Sequence, residues 1–184
     1  MNIVVVPLNS TSYYTRPDTT LEKESKDYYC PDDVSLLSLS VSVNIKIIKA
    51  GKAVAKRFAD RYYNEFGIGV MMYGESIIKD GNPLSFCMAS SLDNTSVIPD
   101  TTWKSSEINS YYCNLVVNRE EFNYCSNIGF HDYINAKLEQ VSQKISLRIG
   151  DIVSFEISHR VLFEKGAAIR LSANDYPLLD FNIC

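Results

Sequence analysis

The sequence has few of the residues that most often build catalytic and metal sites. It contains only two histidines, His131 and His159, in 184 residues. Its five cysteines show no Cys-x-x-Cys spacing, which argues against a zinc site, and their odd number argues against a disulfide framework. Free thiols in a reducing compartment are the simplest interpretation, and we therefore predict a cytoplasmic protein.

The sequence also lacks a large excess of charge of either sign and has no long apolar run. The formal net charge is -4, and the basic residues are scattered among acidic ones, which argues against nucleic-acid binding. No run approaches the roughly 18 apolar residues of a membrane span, and the apolar run 3–6 is too short for a secretory signal. A content of 46% hydrophobic and 22% charged residues is typical of a soluble globular protein.

The chain shows no internal repeat and no low-complexity block, so we predict one domain over 1–184. Residues 1–35 are expected to form a first strand and a covering loop, since 9–35 are polar and rich in turn residues. Residues 36–184 are expected to form the core.

The most regular pattern lies at 37–47, where apolar and polar side chains alternate strictly. A period of two places every apolar side chain on one face of a β-strand. The other face carries Ser38, Ser40, Ser42 and Asn44. The pattern therefore predicts a long strand with one apolar face and one uncharged, hydroxyl-rich face.

Shorter patterns predict the remaining elements. Strands are expected at 3–6, 68–73, 111–117, 152–157, 160–163, 167–171 and 178–183. Helical spacing of apolar residues predicts one helix within 53–66 and another at 136–145, with Asp132 or Asn135 as its cap. Many strands and two short helices, without alternating β-α-β units, indicate an α+β, mainly β fold.

Several segments match one known family in the same order along the chain. Residues 17–32 are similar to the lead-in that ends Phe-Phe-Ile-Pro-Asp in that family. Residues 46–52, with 57–59 and 61–63, resemble the turn and helix that follow its metal-binding strand. Residues 92–98 resemble its Phe-Asp-Gly-Ser-Ala-Val-Ile segment, 147–151 its Leu-Lys-Ile-Gly-Asp turn, and 179–183 its terminal Leu-Asp-Phe-Asn-Ile. The chain thus resembles the fumarylacetoacetate hydrolase family, closest to its small bacterial, single-domain branch. The resemblance implies a mixed β-sheet roll with a few short helices, often paired into homodimers.

The metal ligands of that family do not carry over to this sequence. The resemblance implies enzymes that cleave or rearrange carbon–carbon bonds of β-dicarbonyl acids with Mg²⁺ or Ca²⁺, held by a Glu-x-Glu pair and an Asp. That pair falls on Ser40 and Ser42, and the Asp falls on Met71. Hydroxyl and thioether groups suit such hard cations poorly, so we predict that no metal or other cofactor binds.

The positions that the resemblance assigns to substrate binding also lose positive charge. The resemblance places Ser90 at the family's active-site Lys, Glu75 at an Arg, and Glu156 at the start of its Gly-Thr-Pro turn. Losing the cation, the Lys and the Arg removes the charge that would offset desolvation of an anionic substrate. Lewis-acid activation is lost with the metal. Asp93 is retained, and turn hydrogen bonding is its expected role.

A replacement site is not evident in the sequence. Nothing brings Ser90, His131 and Asp93 together as a nucleophile, base and orienting acid. Glu75, Glu107 and Glu156 are expected to be solvated or ion-paired rather than a catalytic carboxylate pair.

We therefore predict a catalytically degenerate homologue that acts as a binding, structural or regulatory partner. The expected partners are a second copy, an active family member in a heteromer, or a neutral small molecule. Repeated tyrosine pairs suit an interface, although strand alternation explains them equally well. The alternative is an active hydrolase, isomerase or decarboxylase that uses rearranged residues on a β-dicarbonyl acid.

Overall fold

β-Strands dominate the structure, a computed structural model that describes residues 1–126 and 129–184. The strands are β1 (Ile3–Val6), β2 (Tyr14–Arg16), β3 (Leu21–Glu22), β4 (Leu36–Lys46), β5 (Glu65–Tyr73), β6 (Ser96–Val97), β7 (Trp103–Lys104), β8 (Tyr112–Val117), β9 (Glu120–Cys125), β10 (Ile152–Glu156), β11 (Val161–Glu164), β12 (Ala168–Ala173) and β13 (Tyr176–Asn182). The α-helices are α1 (Pro83–Ala89) and α2 (Phe130–Lys144). Short 3₁₀ turns lie at Asp18–Thr20, Lys56–Arg61, Glu75–Ile77 and Ser105–Glu107.

Two sheets organise these strands. The larger, nine-stranded sheet has the order β2-β1-β10-β4-β5-β6-β3, with β11 also pairing with β4 and β7 with β5. It is mixed, because β1 runs parallel to β10 while β10 and β5 run antiparallel to β4. The smaller sheet is four-stranded, in the order β13-β12-β8-β9.

The larger sheet curls into a roll. Arg16 lies in β2 at one end of the strand order, yet its guanidinium reaches Ser96 in β6 near the other end. The outer face of the roll carries Leu39, Val41 and the other apolar residues of β4, which belong to the main hydrophobic core with the smaller sheet and α2. The inner face carries a smaller apolar cluster that includes Ile3, Met71 and Tyr73.

The α+β, mainly β roll predicted from the sequence is confirmed. The predicted ranges of β1, from a short apolar run, and of β4, from alternation, are correct to within a residue at each end. Strands β5, β8, β10, β11, β12 and β13 all lie within or close to their predicted ranges. The loop expected at 9–35 is less irregular than predicted, because β2 and β3 lie within it and pair with the main sheet.

The helix predicted within 53–66 is wrong. Only the short 3₁₀ turn Lys56–Arg61 forms there, and β5 begins at Glu65. Phe66 and Ile68 instead extend along β4, where Ile45 and Val43 are their partners. Long-range strand pairing therefore overrides the local helical spacing.

Helix α2 begins earlier than predicted and is capped differently. Gly129, with a φ of 105°, precedes Phe130, so neither Asp132 nor Asn135 is the cap. Asn135 is buried and accepts a hydrogen bond of 2.8 Å from the Tyr63 hydroxyl. Helix α1 was not predicted, although its start has a clear signal: the Asn82 side chain accepts from the backbone N–H of Leu84, and Pro83 occupies the first turn.

No helix within residues 1–126 or 129–184 combines the length and apolar character needed to cross a lipid bilayer.

Candidate functional site

The interior of the roll is lined by polar side chains from its central strands. Alternation in β4 turns Ser38, Ser40, Ser42 and Asn44 inward, and all four are buried. The neighbouring β10 contributes Ser154 and Glu156, which are also buried. The hydroxyl-rich face expected from the sequence is therefore not a solvent face but the inner wall of a closed roll.

Glu156 is the centre of a buried hydrogen-bond network. The Ser40 hydroxyl donates to Oε1 of Glu156 at 2.5 Å, and the Tyr73 hydroxyl donates to the same oxygen. The Tyr14 hydroxyl is hydrogen-bonded to that of Tyr73. With Glu156 only 5% exposed, the network joins β2, β4, β5 and β10 inside the roll.

Both tyrosines of this network stay protonated at neutral pH. Desolvation by burial raises the pKa of Tyr14 to about 12, and it raises the pKa of Tyr73 well above its ordinary value. Arg16 lowers both pKa values, but by less than burial raises them. The tyrosines therefore act as hydrogen-bond donors within the network.

Arg16 brings a positive charge into the roll and is only 2% exposed. Its Nη1 donates to Ser96 Oγ at 2.8 Å and to the carbonyl oxygen of Thr95 at 3.1 Å. Its Nη2 donates to the carbonyl oxygen of Met72. Nη1 also lies 3.6 Å from Met71 Sδ, and the guanidinium carbon lies 4.7 Å from the centre of the Tyr73 ring.

A second guanidinium, that of Arg160, closes the same end of the roll. Its central carbon lies 3.8 Å from the centre of the Tyr73 ring and 5.3 Å from that of Phe86 in α1. Its Nη1 lies 3.6 Å from Oε2 of Glu75. The same carboxyl oxygen accepts a hydrogen bond of 2.6 Å from Ser38.

The structure brings together four of the pocket residues predicted from the sequence: Ser40, Met71, Glu75 and Glu156. Ser40 and Met71 are direct partners across β4 and β5. Glu75 is ion-paired, as predicted, and Glu107 is exposed. The same prediction is wrong for Glu156, which is buried and bonded to hydroxyl groups because its strand faces the interior.

The other three predicted positions have local or separate roles. Ser42 donates to the side-chain oxygen of Asn44 at 3.1 Å. Ser90 ends α1, and its hydroxyl bonds to the carbonyl oxygen of Cys87. Asp93 is exposed and lines a different surface groove, beside Tyr28 and Leu92.

The histidines lie outside this network. Nε2 of His131, in the first turn of α2, lies 2.9 Å from Oδ1 of Asp60. His159 is exposed. Within the described residues, the structure forms no Ser-His-Asp arrangement from Ser90, Asp93 and either histidine.

The donor set does not fit Mg²⁺ or Ca²⁺. Ser40 and Ser42 offer hydroxyls that already donate to other groups, and Met71 offers a thioether beside a guanidinium. No group of three or more His, Cys, Asp or Glu side chains suited to a metal occurs in residues 1–126 and 129–184. Mg²⁺ and Ca²⁺ bind through carboxylate, carbonyl and water oxygens, and none of Ser40, Ser42 and Met71 offers a carboxylate.

Sequence reasoning missed the residues that give the site its charge. Tyr14, Arg16 and Arg160 were not predicted as site residues, and the two arginines replace positive charge that the sequence appeared to have lost. The only local signal was the alternation of Tyr14 and Arg16, which places both on one face of β2. Their contacts depend on closure of the roll, which no local pattern reveals.

No protein-family model matches the chain, and no curated protein matches it. Solved structures do match. They include a fumarylacetoacetate hydrolase family protein from Yersinia pestis CO92, with 17% identity, a TM-score of 0.81, and coverage of 100% of this chain and 92% of that one. The 2-hydroxyhepta-2,4-diene-1,7-dioate isomerase from Mycobacterium marinum has 16% identity, a TM-score of 0.83 and coverage of 99% and 73%.

A third match is fumarylpyruvate hydrolase from Pseudomonas aeruginosa, in complex with Mn²⁺ and pyruvate. It has 12% identity, a TM-score of 0.81, and coverage of 100% of this chain and 89% of that one. At these identities the likeness establishes the fold. The chain therefore has the fold of the fumarylacetoacetate hydrolase family, as the resemblance of its sequence predicted.

Proposed function

We propose that this protein is a catalytically degenerate homologue of the fumarylacetoacetate hydrolase family that acts as a binding, structural or regulatory partner. The observation that carries this proposal is the buried guanidinium of Arg16. It lies 3.6 Å from the sulfur of Met71, the residue at which the family resemblance would place a metal-binding carboxylate.

The charge of Arg16 opposes a metal ion at that position. Two unit charges about 4 Å apart interact by about 4 kcal/mol at the effective dielectric constant of a protein, and a divalent ion would double the repulsion. The guanidinium cannot lose its proton to relieve this cost. It also stabilises the roll by bonding to Ser96 and to the carbonyl groups of Thr95 and Met72.

The carboxyl groups nearest to Arg160 and Tyr73 already have partners. Glu75 accepts from Ser38 and lies beside Arg160, while Glu156 accepts from Ser40 and Tyr73. A metal that bound either carboxyl group would compete for its negative charge with these hydroxyl and guanidinium donors. This arrangement supports a scaffold in which side chains, rather than a metal, hold the strands together.

Thermal unfolding with and without millimolar Mg²⁺, Mn²⁺ or Ca²⁺ tests the proposal. Because a ligand that binds only the folded state raises the midpoint, we expect no metal-dependent rise here. The fumarylpyruvate hydrolase from Pseudomonas aeruginosa, measured in the same buffers, is the positive control. A clear rise for this protein, or acylpyruvate cleavage that a chelator abolishes, would contradict the proposal.

Self-association, or pairing with an active family member, is the partner that we propose. The tyrosine pairs give it only limited support, because one member of each of two pairs is buried within this chain: Tyr28 and Tyr111 are buried, while Tyr29 and Tyr112 are exposed. Sedimentation at micromolar concentrations should give the mass of a dimer. Capture of an active family enzyme by the tagged protein would identify a heteromer, whereas a monomer that captures no such enzyme would contradict this part of the proposal.

The second candidate is an active enzyme with rearranged residues, and one observation favours it. Glu75 and Glu156 contact Ser38 and Ser40, which are adjacent inward-facing residues of β4, so two carboxyl groups lie at the same end of the roll. Pyruvate release from an acylpyruvate would support this candidate if Glu156→Gln abolished it while the variant remained folded. Absence of release by the wild-type protein would favour the degenerate scaffold.

A further inference from the structure

A surface groove of about 880 Å³, which we call the Tyr28 groove, shares no lining residue with the Glu156 network. Its apolar surface includes the buried residues Val97 and Phe181. The ring of Tyr29, which is 78% exposed, lies at its rim. A cleft of this size is large enough to hold a small molecule.

Main-chain hydrogen bonds hold both sides of the groove in place. The segment around Tyr28 runs beside β13, because its N–H donates to the carbonyl oxygen of Asn182 and its carbonyl oxygen accepts from Cys184, both at 2.8 Å. On the other side, the N–H of Asn94 donates to the carbonyl oxygen of Thr19 at 3.1 Å. A groove whose walls are already ordered loses less free energy on binding than one that must first form.

Tyr28 supplies a buried polar group without a partner. The residue is only 6% exposed, and it lines the groove, yet its hydroxyl makes no hydrogen bond within residues 1–126 and 129–184. Burial raises the pKa of Tyr28, with smaller contributions from Cys30 and Asp93, so the hydroxyl is protonated at neutral pH. Buried polar groups are rarely left without a partner, and this hydroxyl is available to a molecule in the groove.

The charged residues of the lining are mostly acidic. They are Glu22, Asp27 and Asp93, with Lys26 as the one basic residue. The ammonium group of Lys26 already lies 2.9 Å from Oε2 of Glu24, which is not part of the lining. Three carboxylates against one paired ammonium group give the groove a negative potential, which attracts cations.

Each carboxyl group keeps at least one oxygen for a ligand. Oδ1 of Asp27 accepts two hydrogen bonds from Asn182, at 2.8 and 3.1 Å. Oε1 of Glu22 accepts from the backbone N–H groups of the two following residues, both at 2.8 Å. The other oxygen of each group accepts no hydrogen bond from the described residues. Asp93 makes no side-chain hydrogen bond within this part of the chain, so the turn hydrogen bond expected from the sequence does not form there.

The carboxyl groups of the groove come from three segments: β3, the residues before Tyr28, and the turn after α1. They do not form a group of three acids suited to a metal ion. A chain that carries several ammonium groups separated by methylene groups would reach acids on different segments while contacting Val97 and Phe181. Each ammonium group has three N–H donors and no acceptor, which suits carboxylate and phenol oxygens.

We propose that the Tyr28 groove binds a linear aliphatic amine with two or more ammonium groups. One ammonium group would donate to the Tyr28 hydroxyl and to Asp93. Another would pair with Glu22 or Asp27, and the methylene groups between them would contact the apolar surface of the groove. This inference does not depend on the proposed loss of catalysis, because the groove and the Glu156 network share no residue.

Three probes with the same five-carbon chain test the proposal: 1,5-diaminopentane, pentylamine and 1,5-pentanediol. Backbone chemical shifts of the full chain are the readout. We expect the diamine to bind most tightly, with shifts centred on Tyr28, Asp93 and Asn94. Pentylamine should bind about two- to fivefold more weakly because one ion pair is lost, and the uncharged diol more weakly still. Absence of diamine shifts in the groove, or equal binding of the diol, would overturn the proposal.

Two variants with matched controls complete the test. Tyr28→Phe removes only the unpartnered hydroxyl, so the protein should stay folded while diamine binding weakens about two- to tenfold. Asp93→Asn should also weaken it, because one carboxylate is lost. Tyr176→Phe and Asp175→Asn, at exposed positions outside the lining, should leave it unchanged. Unchanged diamine affinity in folded Tyr28→Phe or Asp93→Asn, or an equal loss in the controls, would overturn the proposal.

Discussion

Ser40 of β4 donates a hydrogen bond of 2.5 Å to Glu156 of the neighbouring β10. The bond is diagonal, because the residue directly opposite Glu156 is Ser42. Tyr73 of β5 donates to the same carboxyl oxygen from the other side of β4. A single side-chain oxygen therefore links three adjacent strands at the position where the family resemblance would place metal ligands.

Removing the Ser40 hydroxyl should destabilise the roll. We expect Ser40→Ala to lower the free energy of unfolding by about 1–3 kcal/mol, because a buried acceptor loses a donor. Urea unfolding would measure this, with Ser106→Ala, at an exposed position, as the control. In the double variant with Tyr73→Phe, the loss of unfolding free energy should differ from the sum of the two single losses by about 0.5 kcal/mol or more. Strict additivity would show that the two donors do not act on one group.

Arg16 should be among the most sensitive positions in the chain. Arg16→Met removes the guanidinium donor from the carbonyl group of Met72 and from Ser96, and one of two donors from the carbonyl group of Thr95, which still accepts from the backbone N–H of Met72. We expect a loss of about 2–4 kcal/mol. Arg16→Lys should restore little of it, since an ammonium group lacks the planar fork that reaches several acceptors. Arg170→Met, at an exposed ion pair with Asp180, should change stability little. Equal unfolding midpoints for Arg16→Met and Arg170→Met would contradict the assigned role.

Alkaline pH should unfold the protein through its buried tyrosines. Burial raises the pKa of Tyr14 from 10.0 to about 12, so between these values the folded state binds more protons than the unfolded state. The contribution of Tyr14 to the free energy of unfolding is therefore fully present below pH 10 and is lost as the pH rises towards about 12.

Tyr14→Phe should reduce the slope of unfolding free energy against pH in this range by about 1.4 kcal/mol per pH unit, the equivalent of one proton. Tyr176→Phe, at an exposed position, should leave the slope nearly unchanged. Equal slopes for Tyr14→Phe and the wild-type protein would show that Tyr14 does not titrate with folding.

Gly69 and Gly67 should respond differently to a methyl group. A Cβ on Gly69 would lie 2.4 Å from the backbone oxygen of Val97, whereas one on Gly67 would lie 3.2 Å from that of Thr101. We expect Gly69→Ala to cost about 1–3 kcal/mol of stability through overpacking. Gly67→Ala should cost less, because small adjustments suffice. Denaturant unfolding of both variants checks this, and the reverse order would contradict the close approach of 97–98 to β5.

Local sequence patterns were sufficient to predict the positions of many strands of the sheet. The strict alternation of 37–47 located β4, and shorter apolar runs located β1, β8 and β10, because a period of two is imposed by strand geometry itself. The start of α1 also carries a local signal, a capping Asn82 followed by Pro83 in the first turn. The helix expected within 53–66 did not form for another reason, since pairing of Phe66 with Ile45 of β4 outweighed the helical spacing of the apolar residues.

The candidate site could be predicted only in part. Ser40, Met71, Glu75 and Glu156 were found through the family resemblance, and they do lie at one end of the roll. Arg16, in a segment that reads as a polar loop, gave no signal of burial. Its partners in β5 and β6 lie far away in sequence.

By itself, the sequence determined that β4 has one apolar and one hydroxyl-rich face, and that Ser40, Ser42 and Met71 stand where the family resemblance would place metal-binding carboxylates. Only the tertiary structure decided that this hydroxyl-rich face is enclosed, and that Arg16 and Arg160 bring charge to it. The physical reason is that side-chain direction within a strand follows from backbone geometry over a few residues. The closing of a curled sheet depends instead on contacts between strands distant in the chain.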